Sequence, residues 1–158
     1  MALRIIGCGN CDRGDDSAGV LVARRLRTLG VEAREQSGES LSLMDSWSGF
    51  ERVIVVDATA PSGNPGQFRV WNAQTQSLPE DGFPSSTHAF GVREAVELAR
   101  VMNRLPETLL IYGIEGRDFS LGAPLSPEVV RAVESVARQL LQMVSASADP
   151  AEAMCNHR

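Results

Sequence analysis

The sequence predicts an α/β domain of three layers, in which helices cover both faces of a twisted, mostly parallel sheet of about five strands that includes an edge strand. The apolar residues alternate along the chain between strand-like and helix-like spacing. The clearest strand, residues 52–57, contains four consecutive apolar residues, which is typical of a strand buried on both faces. A chain of 158 residues is also long enough to bury a substantial core in one domain.

The first half of the chain is predicted to contain three strands and two helices. The strands are expected at residues 3–8, 31–36 and 52–57, the second of them weak. A helix is predicted over residues 16–29, because apolar side chains recur on one face and Gly30 follows as a stop signal. A shorter helix is predicted over residues 41–47.

The next part of the chain leaves the regular alternation and then returns to it. Residues 61–84 are rich in Pro, Gly, Asn and Gln, which predicts a long excursion with one edge strand at residues 67–72. A helix is predicted over residues 89–102, with Met102 among its buried side chains, and a core strand over residues 108–114.

The last helix has a clear start signal. Ser126 is a predicted N-cap and Pro127 occupies the first helical position, and the apolar residues that follow at helical spacing include Val130. Residues 1–144 are therefore expected to form the single domain. Residues 145–158 are small and polar, and a disordered tail is expected there.

Composition excludes several classes of function. The 20 acidic and 15 basic side chains give a formal net charge of −5 without a basic stripe, so no nucleic-acid partner is expected. All basic residues are arginine, which excludes Schiff-base chemistry and a phosphate-binding P-loop lysine. The sequence offers no stretch of the ~20 apolar residues needed to cross a bilayer and no secretory signal. A cytoplasmic protein without a membrane partner is expected.

The cysteines do not indicate a disulfide framework. Cys8, Cys11 and Cys155 are an odd number in a chain expected to be cytoplasmic. Cys8 and Cys11 have the C-x-x-C spacing of redox proteins, but their Gly-rich surroundings favour a pair without redox function. Whether either thiol contributes to a functional site is left open.

Three ligand-type residues are expected at one edge of the sheet. Asp16 follows the first strand, Asp57 ends the strand at residues 52–57, and His88 lies where the Pro/Gly-rich excursion enters a helix. Functional groups gather beyond the carboxyl ends of parallel strands. Two carboxylates and one imidazole suit Ni, Zn, Mn or Fe and leave coordination positions open for a substrate.

Each of these residues also has a purely structural interpretation. Asp15 or Asp16 would then be only an N-cap of the following helix. Asp57 would cap a turn before Pro61, and His88 would be a helix-start histidine without chemistry. Their joint placement at one edge of the sheet favours a shared site.

Four segments of the chain form an ordered set of motifs. The first is Gly7-Cys8-Gly9-Asn10 with Asp15-Asp16-Ser17-Ala18-Gly19-Val20, the second is Val53-Ile54-Val55-Val56-Asp57-Ala58, the third is Ser86-Thr87-His88 with Gly91, and the fourth is Gly113-Ile114-Glu115 with Gly122, Leu125, Ser126 and Val129. In order and spacing these segments resemble the motifs of the hydrogenase maturation endopeptidases, which trim the C-terminal extension from the large subunit of nickel-iron hydrogenases. The resemblance covers nearly all of residues 3–144.

The resemblance implies that Asp16, Asp57 and His88 bind nickel and carry the catalysis. The nickel would be carried by the substrate, a hydrogenase large-subunit precursor, and no organic cofactor is implied. Such a peptidase needs no serine or cysteine nucleophile. One interpretation is attack by water on a metal-polarised carbonyl with Asp16 or Asp57 as the base, a mechanism of aspartic or metallopeptidase type. We expect it to act as a monomer.

The sequence departs from the family pattern at three positions of the first motif. Ser17 stands where glycine is more usual, Asp16 is the shorter alternative to glutamate, and Cys11 lies where an apolar residue is common. A thiolate from Cys11 is therefore a further ligand candidate. The alternative function is that of a non-catalytic, metal-sensing or chaperone protein of the same fold that binds the metal-loaded precursor.

Overall fold

A computed structural model describes residues 2–80 and 91–146 of the chain. The strands are β1 (Leu3–Cys8), β2 (Arg34–Gln36), β3 (Arg52–Thr59), β4 (Phe68–Asn72) and β5 (Thr108–Glu115). The helices are α1 (Ala18–Thr28), α2 (Ser40–Trp47), α3 (Val92–Val101) and α4 (Pro127–Ala146), and a short 3-10 helix (Gly14–Ser17) precedes α1. None of the helices in these two ranges is long and apolar enough to cross a membrane.

The five strands form one sheet in the order β2-β1-β3-β5-β4. All neighbouring pairs are parallel except β4 and β5, which are antiparallel. The expected fold class, a mostly parallel α/β sheet with an edge strand from the Pro/Gly-rich excursion, is confirmed. The carboxyl ends of β1, β3 and β5 therefore lie at the same edge of the sheet.

Strand β3 is buried on both faces, as its apolar run predicts. Ile54 and Val56 belong to the core that α1 and α4 cover. Val53 and Val55 belong to the core on the other face, which contains buried residues of α2 and α3. Side chains alternate along a strand, so the next residue in the row of Val53 and Val55 is Asp57.

Helix α1 packs directly onto the backbone of the sheet through Gly19. A Cβ atom at this position would lie 2.2 Å from the carbonyl oxygen of Val56 and 2.4 Å from that of Cys8. Real Cβ atoms do not approach backbone oxygens so closely, so glycine is required at this position. The contact holds the start of α1 against the carboxyl ends of β1 and β3.

Several boundaries and two burial predictions differ from the structure. Strand β3 continues to Thr59, so Asp57 lies two residues before its end. Met102 is 47% exposed because it lies beyond the last residue of α3. Val130 is 51% exposed because its neighbour Val129 takes the core-facing position and successive helix residues point about 100° apart.

Strand β2 covers only Arg34–Gln36 of the predicted residues 31–36. Other predictions concern the ends of the described ranges. Helix α4 continues through Ala146, two residues past the predicted limit of the domain. Residues 147–158, for which a disordered tail is expected, lie outside the described part of the chain. The same holds for residues 81–90, which include His88 and the start of the helix predicted at residues 89–102.

Candidate functional site

The turn after β1 is held by main-chain contacts between its two ends. The φ angle of Gly9 is +151°, and a Cβ atom there would lie 2.0 Å from the carbonyl oxygen of Asp16. The Asn10 N–H donates to that same oxygen over 3.3 Å, and the Asn10 side chain accepts from the Asp12 N–H over 2.9 Å. The Gly-Asn pair of the first motif therefore fixes the backbone that carries Asp16.

Asp15 is a structural carboxylate that binds the loop between β5 and α4. It is completely buried, and it accepts hydrogen bonds from the N–H groups of Arg117 (2.7 Å), Asp118 (3.1 Å) and Ser126 (2.8 Å) and from the Ser126 hydroxyl (2.7 Å). Burial raises the pKa of Asp15, but the hydrogen bonds from Ser126, Arg117 and Asp118 outweigh it and hold the pKa below its usual value. Asp15 is therefore an ionised anchor.

The N-cap interpretation of the two aspartates is wrong. Helix α1 begins after Ser17, which occupies the N-cap position, and no side-chain hydrogen bond caps it. Asp15 and Asp16 belong to the 3-10 helix that precedes α1. The predicted helix start at residue 16 is thus a short 3-10 helix followed by the α-helix.

Asp57 lies on the sheet face that α2 and α3 cover and is only 8% exposed. Its Oδ1 accepts a hydrogen bond from the N–H of Ala58 over 2.8 Å, so it does not cap a turn before Pro61. Burial, and next the negative charge of Asp16, raise the pKa of Asp57 well above its usual value, and the bond from Ala58 only partly opposes this.

Asp16 is partly exposed at the same edge of the sheet. Burial raises its pKa, although the Asn10 N–H and the charge of Arg13 work in the opposite direction. Asp16 is close enough to Asp57 for its charge to shift the pKa of that carboxyl group. The structure therefore places two of the three candidate residues at the same edge of the sheet, within range of each other's charge, and the third, His88, lies outside the described residues.

The two described cysteines have different surroundings. Cys8 is fully buried, and its pKa is raised by burial first and then by the charges of Asp57 and Asp16. Cys11 is an exposed free thiol close to Arg24, whose pKa is raised by Glu35 first and also by Cys11. Cys8 is thus a neutral thiol against the two carboxylates at neutral pH, and Cys11 lies at the surface beside an arginine.

The described residues do not by themselves complete a metal site. Within residues 2–80 and 91–146, no group of three or more His, Cys, Asp or Glu side chains is arranged to hold a metal ion. Two neighbouring carboxylates can share a divalent cation if further ligands come from elsewhere, and a carboxylate with a raised pKa can also accept a proton from water near neutral pH.

A cavity of about 340 Å³ opens at the same end of the sheet, beside β4 and β5. It is lined by Thr59, Ala60, Pro61, Ser62, Gln67, Arg69, Trp71, Pro79, Gly113 and Glu115. The Glu115 carboxylate is 6% exposed and accepts hydrogen bonds from the Ser62 hydroxyl and, over 2.5 Å, from the Asn64 N–H. Among these residues only Gly113 and Glu115 belong to a recognised motif, and no sequence signal singles out Arg69.

Comparisons with known proteins agree with this architecture. The chain is 22% identical to the [NiFe] hydrogenase maturation protease HybD from Thermococcus kodakarensis, with a TM-score of 0.73 over 90% of this chain and 99% of that one. It is 20% identical to the hydrogenase maturating endopeptidase HybD from E. coli, also with a TM-score of 0.73, over 94% of each chain. These likenesses establish the shared fold.

Sequence comparisons carry the assignment further. Protein FrxA of Pyrococcus furiosus is 29% identical over 133 residues, which cover 83% of this chain and 96% of that protein. The family model described as hydrogenase maturation protease matches residues 38–143, a range that includes Asp57 and His88 but begins after Asp16. Since this match spans more than half of the chain, the protein belongs to the hydrogenase maturation protease family.

Proposed function

We propose that this protein is an endopeptidase that removes the C-terminal extension from the nickel-loaded large-subunit precursor of a nickel-iron hydrogenase. The observation that carries the proposal is that Asp16, which follows β1, and Asp57, near the end of β3, lie at the same edge of the sheet in a chain that belongs to the maturation protease family. The family match supports a protease, and the paired carboxylates provide groups suited to recognise a metal ion.

The two carboxylates and His88 are proposed to recognise the nickel that the precursor carries. Asp57 is buried beside a second carboxylate, an arrangement that disfavours its ionised form. A divalent cation placed against an oxygen of each carboxylate would relieve the repulsion between their negative charges, and the imidazole of His88 would add a nitrogen donor. The nickel in this proposal belongs to the substrate, and no organic cofactor is required.

Asp57 is better suited than Asp16 to act as the base toward water. A general base works best when its pKa lies near the working pH. Burial and the charge of Asp16 raise the pKa of Asp57 well above its usual value, whereas Asn10 and Arg13 partly oppose the rise at Asp16. Asp16 is also the more exposed of the two. We therefore assign contact with the substrate's nickel chiefly to Asp16 and proton acceptance chiefly to Asp57.

The chain is proposed to work in the cytoplasm as a monomer on the precursor alone. The Asp15 anchor and the close packing of Gly19 hold the turn of Asp16 against the end of β3 through contacts within a single chain. A second subunit is not needed to bring them together.

The direct test is to mix the purified chain with a nickel-loaded precursor and to measure the mass of the large subunit. Loss of a C-terminal peptide supports the proposal, and the nickel-free precursor should remain uncut. A stable complex without any change in mass would instead support the non-catalytic metal-sensing or chaperone function. Asp57→Asn should abolish cleavage. Asp12→Asn, which changes an exposed aspartate in the turn that carries Asp16, should not.

A further inference from the structure

The register of the sheet aligns Asp57 with an arginine two strands away. Asp57 pairs with Gly113 of β5, and Gly113 pairs with Arg69 of β4. Neighbouring strands lie about 4.8 Å apart, so the backbones of Asp57 and Arg69 are roughly 10 Å apart. Side chains in one row across a sheet project from the same face, so Arg69 stands on the same face as Asp57.

Gly113, which lies between Asp57 and Arg69 in this row, has no side chain to fill the space over β5. A Cβ atom at Gly113 would lie 2.4 Å from Cγ2 of Thr59 and 2.8 Å from the indole ring of Trp71. Because Gly113 has no side chain, Thr59 and Trp71 close over β5 and line the cavity together with Arg69. The cavity therefore continues from the strand of Asp57 to the strand of Arg69.

The two charged residues that line the cavity, Glu115 and Arg69, differ in their polar contacts. Glu115, its acidic lining residue, is bound by Ser62 and Asn64. Burial raises the pKa of Glu115, but the bonds from Ser62 and Asn64, and lastly the charge of Arg69, lower it below its usual value. Arg69 itself is exposed, and no carboxylate among residues 2–80 and 91–146 lies within ion-pair distance of its guanidinium group.

We propose that Arg69 is a specificity residue that binds a carboxylate of the substrate peptide. The peptide would run from the scissile bond at Asp57 across β5 into the cavity, where a guanidinium group pairs well with a carboxylate. A span of roughly 10 Å corresponds to about three residues of extended chain. The bound carboxylate is therefore an acidic side chain, or the chain terminus, about three residues from the cleaved bond. The inference rests on the proposed endopeptidase function.

The first test measures peptide binding and does not depend on cleavage. The probe is a fluorescein-labelled synthetic peptide that spans the cleavage site and extension of the hydrogenase large-subunit precursor encoded in the same genome. It is used in three forms: unmodified, with acidic side chains replaced by their amides, and with an amidated C-terminus. The dissociation constant is measured by anisotropy for the wild type, Arg69→Gln, Arg69→Glu and the control Arg131→Gln, an exposed arginine on α4.

Loss of one charge-assisted contact should raise the dissociation constant about tenfold in Arg69→Gln, and more in Arg69→Glu. Arg131→Gln should bind like the wild type. One of the two amide forms should bind the wild type as weakly as the unmodified peptide binds Arg69→Gln. The form that does so shows whether the carboxylate bound by Arg69 is an acidic side chain or the C-terminus of the peptide. Absence of binding to the wild type, or equal binding by Arg69→Gln, would overturn the assignment.

A second test separates this inference from the proposed function. In the processing reaction Arg69→Gln should raise KM with little change in kcat, because the contact is made before the reaction begins. A wild type that binds the peptide through Arg69 but never cleaves the precursor would contradict the endopeptidase function alone. A wild type that cleaves, with unchanged KM in Arg69→Gln, would contradict the role of Arg69 alone. A lowered melting temperature without changed binding would identify Arg69 as only a counter-charge for Glu115.

Discussion

The hydroxyl of Ser126 donates a hydrogen bond of 2.7 Å to the carboxylate of Asp15, which lies 111 positions earlier in the chain. Asp15 adjoins Asp16 in the 3-10 helix, and Ser126 is the last residue before α4. The contact thus joins the turn that carries a candidate site residue to the start of the last helix. The position of Asp16 depends on a loop that is distant in sequence.

Asp15→Asn should destabilise the protein by about 2–4 kcal/mol. The carboxylate accepts four hydrogen bonds, and the amide NH₂ group that replaces one of its oxygens cannot accept, so at least one buried donor would lose its partner. Urea unfolding monitored by circular dichroism measures the free energy of unfolding. Asp12→Asn, in the same turn but exposed, should stay within about 0.5 kcal/mol of the wild type. A stable Asp15→Asn protein would show that the anchor is dispensable.

The stability of the protein should fall in acid partly through Asp15. Its pKa is lower in the folded protein than its usual value, so its contribution is present above the usual aspartate pKa and is lost as pH falls through the folded pKa. Thermal unfolding should therefore show that the melting temperature falls less between pH 6 and acid in Asp15→Asn than in the wild type. Parallel curves would contradict the assignment of this loss to Asp15.

Asp57→Asn should raise the stability at neutral pH by about 1 kcal/mol, or about 2–4 °C in melting temperature, while it abolishes processing. The pKa of Asp57 is raised in the folded protein, so ionisation costs stability as pH rises above the usual aspartate pKa. The amide keeps the oxygen that accepts from Ala58 and removes the charge. The gain in melting temperature should disappear in acid, where the wild-type carboxyl group is protonated; a gain that persists there would have another cause.

Asp16→Asn and His88→Ala should each abolish processing, with a melting temperature within about 2 °C of the wild type, because groups kept for chemistry seldom hold the core together. The cut fraction of a nickel-loaded precursor and the thermal midpoint are both measured. Asp12→Asn serves as the matched control for Asp16, since both lie in one turn. A large loss of stability in either variant would favour a structural role for that residue.

Gly19→Ala should destabilise the protein by about 1–3 kcal/mol, because the added methyl group would overlap the backbone oxygens of Val56 and Cys8. Gly30→Ala is a useful comparison. The φ angle of Gly30 is +84° and no atom of the described part of the chain lies within 4 Å of the added Cβ, so only the backbone penalty of about 1 kcal/mol applies. Chemical denaturation compares the two. Equal losses would mean that α1 can move away from the sheet without cost.

Much of the fold could be predicted because it follows from local patterns. The apolar run of β3 and the start signal of α4 each determine one element within a few residues. Burial was harder to predict where a helix ends or where two apolar residues are adjacent, as at Met102 and Val130. In both cases the position of the helix against the sheet decides which side chain faces the core.

The candidate site was only partly predictable for a similar reason. Asp16 and Asp57 could be placed at one edge because Asp16 follows a parallel strand and Asp57 lies near the carboxyl end of another. The anchor role of Asp15 depends on Ser126, and the row that joins Asp57 to Arg69 depends on the antiparallel register of β4. Contacts between distant segments leave no periodic signal in the sequence, so these two features emerge only from the folded chain.

The sheet order also dictates when the protein can become active as it is made. Among residues 2–80 and 91–146, β4 has β5 as its only neighbouring strand, so Arg69 can align with Asp57 only after β5, which begins about 40 residues later in the chain, has been synthesised. The hydrogen bond between Ser126 and the Asp15 carboxylate forms later still, because it requires that Ser126 has left the ribosome. Pairings between distant segments form late in folding. A nascent chain therefore carries both aspartates before the Asp15 anchor can form, and we expect cleavage activity only after α4 has begun to form.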